Sequence, residues 1–181
     1  MILAERLEMT IFDITAFVLS CHYGVLNESG ELKKVDESYR SLTPQEFERT
    51  AYGVCHDFAN WVTYQLSLEG FTPVNCQPKE GECAILYIRF SFKGSRVHEN
   101  IHAMPIFMLD GKLHIIEGTW NYPEALGHHE YSSLRELGLA QLDLIELTLD
   151  QYNLERTSDV EYWFTNPKWE GGYTREQLIA H

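Results

Sequence analysis

Basic residues are scarce in this chain: 14 Lys and Arg stand against 27 Asp and Glu, a formal net charge of -13. Such a surface repels phosphate backbones, so nucleic-acid binding is excluded as the main activity. The excess acid is read as a solvated, soluble surface. No run approaches the 18 or so apolar residues a spanning helix needs, and no membrane association is expected. Internal repeats, low-complexity tracts and Pro/Ser-rich linkers are missing, which leaves the 181 residues as one domain, 1–181. Cysteine is limited to Cys21, Cys55, Cys76 and Cys83, with no C-x-x-C spacing, so zinc-knuckle and thioredoxin-type motifs are excluded. Cys55 is wanted as a free thiol, which leaves an odd number for pairing and points to a reducing, cytoplasmic compartment. Residues 10–21 end in a cysteine as an export signal can. Glu5, Glu8 and Asp13 interrupt that pattern, and Ile11, Ile14, Phe17, Val18 and Cys21 recur at helical spacing.

What is present belongs to a globular protein: 44% hydrophobic and 13% aromatic residues. A helix is expected over about 9–21, and a turn at Asn27–Gly30. Thr43-Pro44-Gln45-Glu46 reads as a capping box with proline at the first helical position. A second helix starts near Cys55 and runs to about Glu69, apolar on most sides and therefore central, with Gly70 after its end. Beyond it come short β-rich runs: Thr72–Cys76, Cys83–Phe92, Ile101–Leu109 and Lys112–Glu117. Asp110-Gly111 is a hairpin signal. Tyr131–Ala140 reads as a helix, Leu142–Leu149 as a strand or a helix, and the aromatic stretch Tyr162–Trp169 stays unassigned. Helices followed by an antiparallel sheet predict an α+β fold, with the Cys55 helix packed on the sheet.

The chemistry starts with Gly53-Val54-Cys55-His56-Asp57, which sets a cysteine at the start of a buried helix. There, unpaired N–H groups and the helix dipole favour an anion, and a thiolate is the reactive form of cysteine. The same N–H groups suit the oxyanion of an attacked carbonyl. A two-residue loop at Asp110-Gly111 pairs Leu109 with Lys112, which sets His102 opposite Thr119 and Met104 opposite Glu117. His102 and Glu117 then share a face as diagonal neighbours, within reach of each other. The rest of that face, Met104, Ile106, Met108, Leu113 and Ile115, is apolar and is expected to pack on the Cys55 helix, so each polar group needs the other. His114, opposite Phe107, points to the other face. The result is a nucleophile, a base and an orienting acid: Cys55, His102 and Glu117.

GVCHDFANWVTYQLSLEGFTPV resembles the nucleophile helix of transglutaminase-like proteins, and NIHAMPIFMLDGKLHIIEGTW resembles the second half of their site, a His opening a strand followed by a hairpin, an acid and a Thr-containing turn. The resemblance covers roughly residues 50–122. It implies a transglutaminase/papain-like α+β fold, with Cys55 as nucleophile, His102 as base and Glu117 as acid. It also implies a peptidase, amidase or acyltransferase acting on a peptide or protein amide, without a cofactor. The chain departs from the family in carrying Glu117 where Asp is usual, and Met104 where an aromatic often follows the His. Pro105 inside a strand suggests an edge or a bulge. Tyr52 is the only side chain suggested for the oxyanion.

Other groups invite other readings. Cys83, His98, Glu99 and His102 have no recognised metal-ligand spacing, and no metal site is expected. His128 and His129 are read as solvated in a loop. The aromatic stretch Tyr162–Trp169 suits a substrate groove, a small core or a partner surface. The last possibility sets the alternative to an enzyme: a catalytically silent, transglutaminase-like module that binds a partner protein.

Overall fold

The computed structural model describes residues 2–27, 29–33, 39–94 and 97–179. In chain order its elements are α1 (Ile2–Ser20), β1 (His22–Tyr23), β2 (Val25–Leu26), β3 (Leu32–Lys33), α2 (Pro44–Thr50), β4 (Tyr52–Gly53) and α3 (Cys55–Leu68). They continue with β5 (Thr72–Pro73), β6 (Glu82–Lys93), β7 (Val97–Leu109), β8 (Lys112–Glu117), a 3-10 turn (Pro123–Ala125), β9 (Gly127–Tyr131), α4 (Leu134–Gln151), β10 (Glu155–Arg156), β11 (Glu161–Thr165) and α5 (Arg175–Ile179). The architecture is α+β. Among the described residues no helix is long and apolar enough to cross a membrane.

Local chemistry explains most of these elements. Thr43 caps α2: its Oγ1 accepts the Glu46 N–H while the Glu46 carboxylate accepts the Thr43 N–H at 2.8 Å. Asp110 (φ 51°) and Gly111 (φ 75°) form the two-residue turn between β7 and β8. The Glu80 carboxylate accepts both turn N–H groups, at 2.8 and 3.0 Å.

The central sheet runs β10-β6-β7-β8-β9. The long strand β6 has its outer edge covered in sequence by β5, β11 and β10. This corrects the expectation of a purely antiparallel sheet, because β5 runs parallel to β6. Pro105 is at neither an edge nor a bulge on the β6 side. The β6–β7 register runs unbroken through Ile85↔Pro105, from Cys83↔Phe107 to Lys93↔Val97. The β7–β8 register is the one the hairpin requires, from Leu109↔Lys112 to Ile106↔Ile115, and stops there. The next residue along β7 is Pro105, which has no N–H to extend a ladder.

Two cores sandwich the sheet. On one face Phe107, Ile116 and Cys83 meet Ile11, Ile14 and Val18 of α1 and Phe58, Trp61, Val62 and Leu66 of α3. On the other, Leu86, Ile88, Met104, Ile106, Leu113 and Ile115 meet Leu137, Ile145 and Leu149 of α4. The apolar face shared with His102 therefore packs on α4, not on the Cys55 helix as expected. The reason lies after residue 131. Leu134–Gln151 is one continuous helix capped by Ser133, which merges the two expected segments and covers that face. Tyr131 ends β9 instead of opening a helix. Within Tyr162–Trp169, residues up to Thr165 belong to β11; Trp163 stacks on Tyr87 at 5.3 Å and 8° and Phe164 packs on the α4 side, so these two close the core, while Tyr162 is exposed.

Candidate functional site

Cys55 is the first residue of α3, half-buried, and packs with Ala59, Ile101 and Ala103. Its backbone position is fixed by Asp57, which is buried in the same helical turn. Asp57 Oδ2 accepts the Val54 N–H at 2.9 Å, and Oδ1 accepts the Leu42 N–H at 2.9 Å and the Tyr39 hydroxyl at 2.8 Å. The start of α3 is thus tied to the segment before α2. Burial pushes the Asp57 carboxyl up to about 6, against the pull of those three hydrogen bonds. Gly53 allows this approach, since a Cβ there would lie 2.7 Å from Asp57 Cβ and 2.8 Å from the Phe47 ring.

His102 and Glu117 meet, although the β7–β8 register ends at Ile106↔Ile115, short of the expected pairs Met104 with Glu117 and His102 with Thr119. Glu117 Oε2 lies 2.8 Å from His102 Nε2. Its other oxygen accepts the Gly118 N–H (2.9 Å), the Thr119 N–H (2.8 Å) and the Thr119 hydroxyl (2.7 Å). Glu117 is 3% exposed, so these four bonds are what keep a carboxylate tolerable there. Burial raises its pKa, but the His102 charge and these hydrogen bonds outweigh it and hold the group below the ordinary range. Trp120 covers the pair, its ring 4.9 Å from that of His102 and its Nε1 donating to Gln141 Oε1 of α4 at 3.2 Å.

The structure brings all three residues expected from the sequence together. The Cys55 side chain lies close enough to the His102 ring to raise its pKa together with Glu117. Nε2 is taken by Glu117, which leaves Nδ1 for the thiol. Burial works against the imidazolium, yet the Glu117 charge, the nearby Cys55 and the hydrogen bond to Glu117 raise His102 to about 10.

A cavity of about 280 Å³ opens beside Cys55, lined among others by Tyr23, Tyr39, His56, Tyr87, Asn100 and Arg175. Several of these carry no signal in the sequence. Tyr87 sits on β6, and its hydroxyl hydrogen-bonds His56 Nδ1. Among the described residues His56 Nε2 is buried without a partner. Burial, then the charge of Lys168, lowers His56 to about 3, so it is a neutral imidazole. A His next to Cys55 is visible in the chain, but nothing in the sequence links it to Tyr87. Tyr52, suggested for the oxyanion, does not line this cavity. It pairs with His22 in a short parallel bridge, rings 4.9 Å apart, and borders a separate hollow with Leu42 and Gly24.

The four residues considered for a metal do not converge. Cys83 is at one end of the β6–β7 ladder and His98 near the other. His128 and His129 are on strand β9, half-buried, not solvated in a loop. The four cysteines are free thiols, and burial pushes Cys21 up to about 11 and Cys83 up to about 12. Comparison with protein-family models and with curated proteins finds no match to this chain.

Proposed function

We propose that this chain is a thiol enzyme of the transglutaminase-like type, acting on a peptide or protein amide through a Cys55 acyl-enzyme. The observation that carries the reading is the buried His102–Glu117 pair, hydrogen-bonded at 2.8 Å, beside Cys55 at the start of α3 and at the wall of a cavity. Cys55 Sγ attacks the amide carbonyl and forms the C–S bond. The N–H groups of the first turn of α3 are suited to the oxyanion. His102 gives its proton to the leaving amine as the C–N bond breaks, and Glu117 holds the ring in place. Water then releases an acid, or an amine takes the acyl group. The order of helix, hairpin and acid supports the papain-like arrangement of these parts, and the four free thiols support a reducing, cytoplasmic setting.

The test is alkylation with iodoacetamide at mildly acidic pH, followed by peptide mapping. Cys55 is expected to be modified first, with Cys21 and Cys83 inert because burial keeps them protonated. Equal, slow labelling of all four thiols would overturn the reading. It would favour the silent protein-binding module, whose partner would then be sought by affinity capture.

A further inference from the structure

The sheet face that packs against α1 carries a second cluster of ligating side chains, and we propose that His114, His128 and Glu130 form a binding site for a zinc-class divalent metal ion. His114 is on β8 directly opposite Glu130 on β9, and His128 is the diagonal neighbour of His114 on the same face. One ligand atom from each lies within 4.8 Å of the others. His114 is on the same strand as Glu117 but faces the other way, so this cluster is separate from the Cys55 line.

The hydrogen bonds fix which atoms are available. His114 Nε2 bonds the Leu109 carbonyl at 3.1 Å, so it must carry the proton and donate. Nδ1 is then a lone pair held outward, the arrangement that a backbone carbonyl gives to metal-bound histidines. That lone pair faces His128 Nε2 at 2.9 Å, in rings only 7° from parallel. In zinc sites with Zn–N bonds of about 2.0–2.1 Å, tetrahedral nitrogens are separated by about 3.3 Å. A small rotation of His128 opens that spacing. The His128 proton passes from Nε2 to Nδ1, so the ring stays neutral and a second lone pair is presented. Glu130 adds a carboxylate: Lys112 Nζ holds Oε2 at 2.6 Å, which leaves Oε1 for the metal.

Two imidazoles and one carboxylate suit zinc and its neighbours better than calcium or magnesium, which prefer all-oxygen shells. The three side chains themselves line a hollow of about 360 Å³, bordered also by Phe12 and Thr15 of α1. Three protein ligands with an open place is the pattern of zinc sites that hold a water or an exogenous ligand.

Cobalt(II) is the probe, titrated into tag-free, chelator-treated protein. The expected result is one Co²⁺ per chain with a tetrahedral ligand-field band. His128→Gln and Glu130→Gln should each weaken binding by about tenfold or more, while His129→Gln leaves it unchanged. His128 is only half-buried and Glu130 exposed, and circular dichroism checks that both variants fold. No stoichiometric binding, binding undiminished in both variants, or thiolate-to-cobalt charge transfer would each overturn the proposal. Cys55 alkylation in the same samples reads the proposed thiol chemistry independently.

Discussion

Glu117 and His102 are joined by one hydrogen bond of 2.8 Å between groups that are both almost fully shielded from solvent. Met104, Ile106, Leu113 and Ile115, their neighbours on that face of β7 and β8, are apolar and offer neither charge any compensation. Removing one member therefore strands the other. Glu117→Ala should lower unfolding stability by about 3–5 kcal/mol. Glu117→Gln keeps the shape and the bonds from Gly118 and Thr119 but not the charge. Its His102 should titrate well below the wild-type value, which histidine NMR measures directly. An unmoved His102 titration would contradict the ion pair.

The same pair sets a pH dependence. His102 is raised from 6.5 to about 10. A raised folded-state pKa contributes stability that is complete below pH 6.5 and lost as pH climbs through 10. Glu117 is lowered, so its contribution is present above its ordinary pKa and lost in acid. Urea denaturation should show the wild type losing stability between neutral pH and about 10, with the loss much reduced in His102→Gln.

Asp57 is raised from 3.8 to about 6, mainly by burial. The folded state therefore holds its proton longer than the unfolded one, and stability falls as pH rises between these values. Asp57→Ala removes this pH dependence but leaves the Val54 N–H, the Leu42 N–H and the Tyr39 hydroxyl without their acceptor, at about 1–3 kcal/mol for each group that stays buried and unpaired. The variant should be destabilised at pH 7. Its Cys55 should also react more slowly with iodoacetamide, because the start of α3 loses its anchor. Unchanged alkylation kinetics in a folded Asp57→Ala protein would separate Asp57 from the thiol.

Gly118 follows Glu117 at a point of close contact. A Cβ there would lie 2.4 Å from Val18 Cγ1 and 2.9 Å from the Phe58 ring, pressing on α1 and α3 at once. Gly118→Ala should cost about 1–3 kcal/mol as an overpacked core position. Thermal denaturation checks this, with Gly138→Ala inside α4 as a mild comparison, since a Cβ at Gly138 would meet nothing within 4 Å.

Short-range chemistry along the chain was enough to set the local parts. The Thr43–Glu46 capping box, the start of α3 at Cys55 and the Asp110-Gly111 turn each rest on contacts between residues a few positions apart, and their chemistry is written in order along the chain. The hairpin register near the turn followed from the turn, and the shared face of His102 and Glu117 from strand alternation. Which layer covers which face was settled only when the whole chain packed. α4 took the apolar side of β7 and β8 because its own Leu137, Ile145 and Leu149 needed burial, and no pattern near residues 102–117 encodes that. Packing settled too that the His102 ring reaches a cysteine packed with the opposite face, that Tyr87 and His56 share the cavity wall, and that His114, His128 and Glu130 cluster on adjacent strands. Periodicity tells which side chains share a face. What lies against that face depends on the closing of long loops, a global minimum over the whole chain that no short stretch of residues contains.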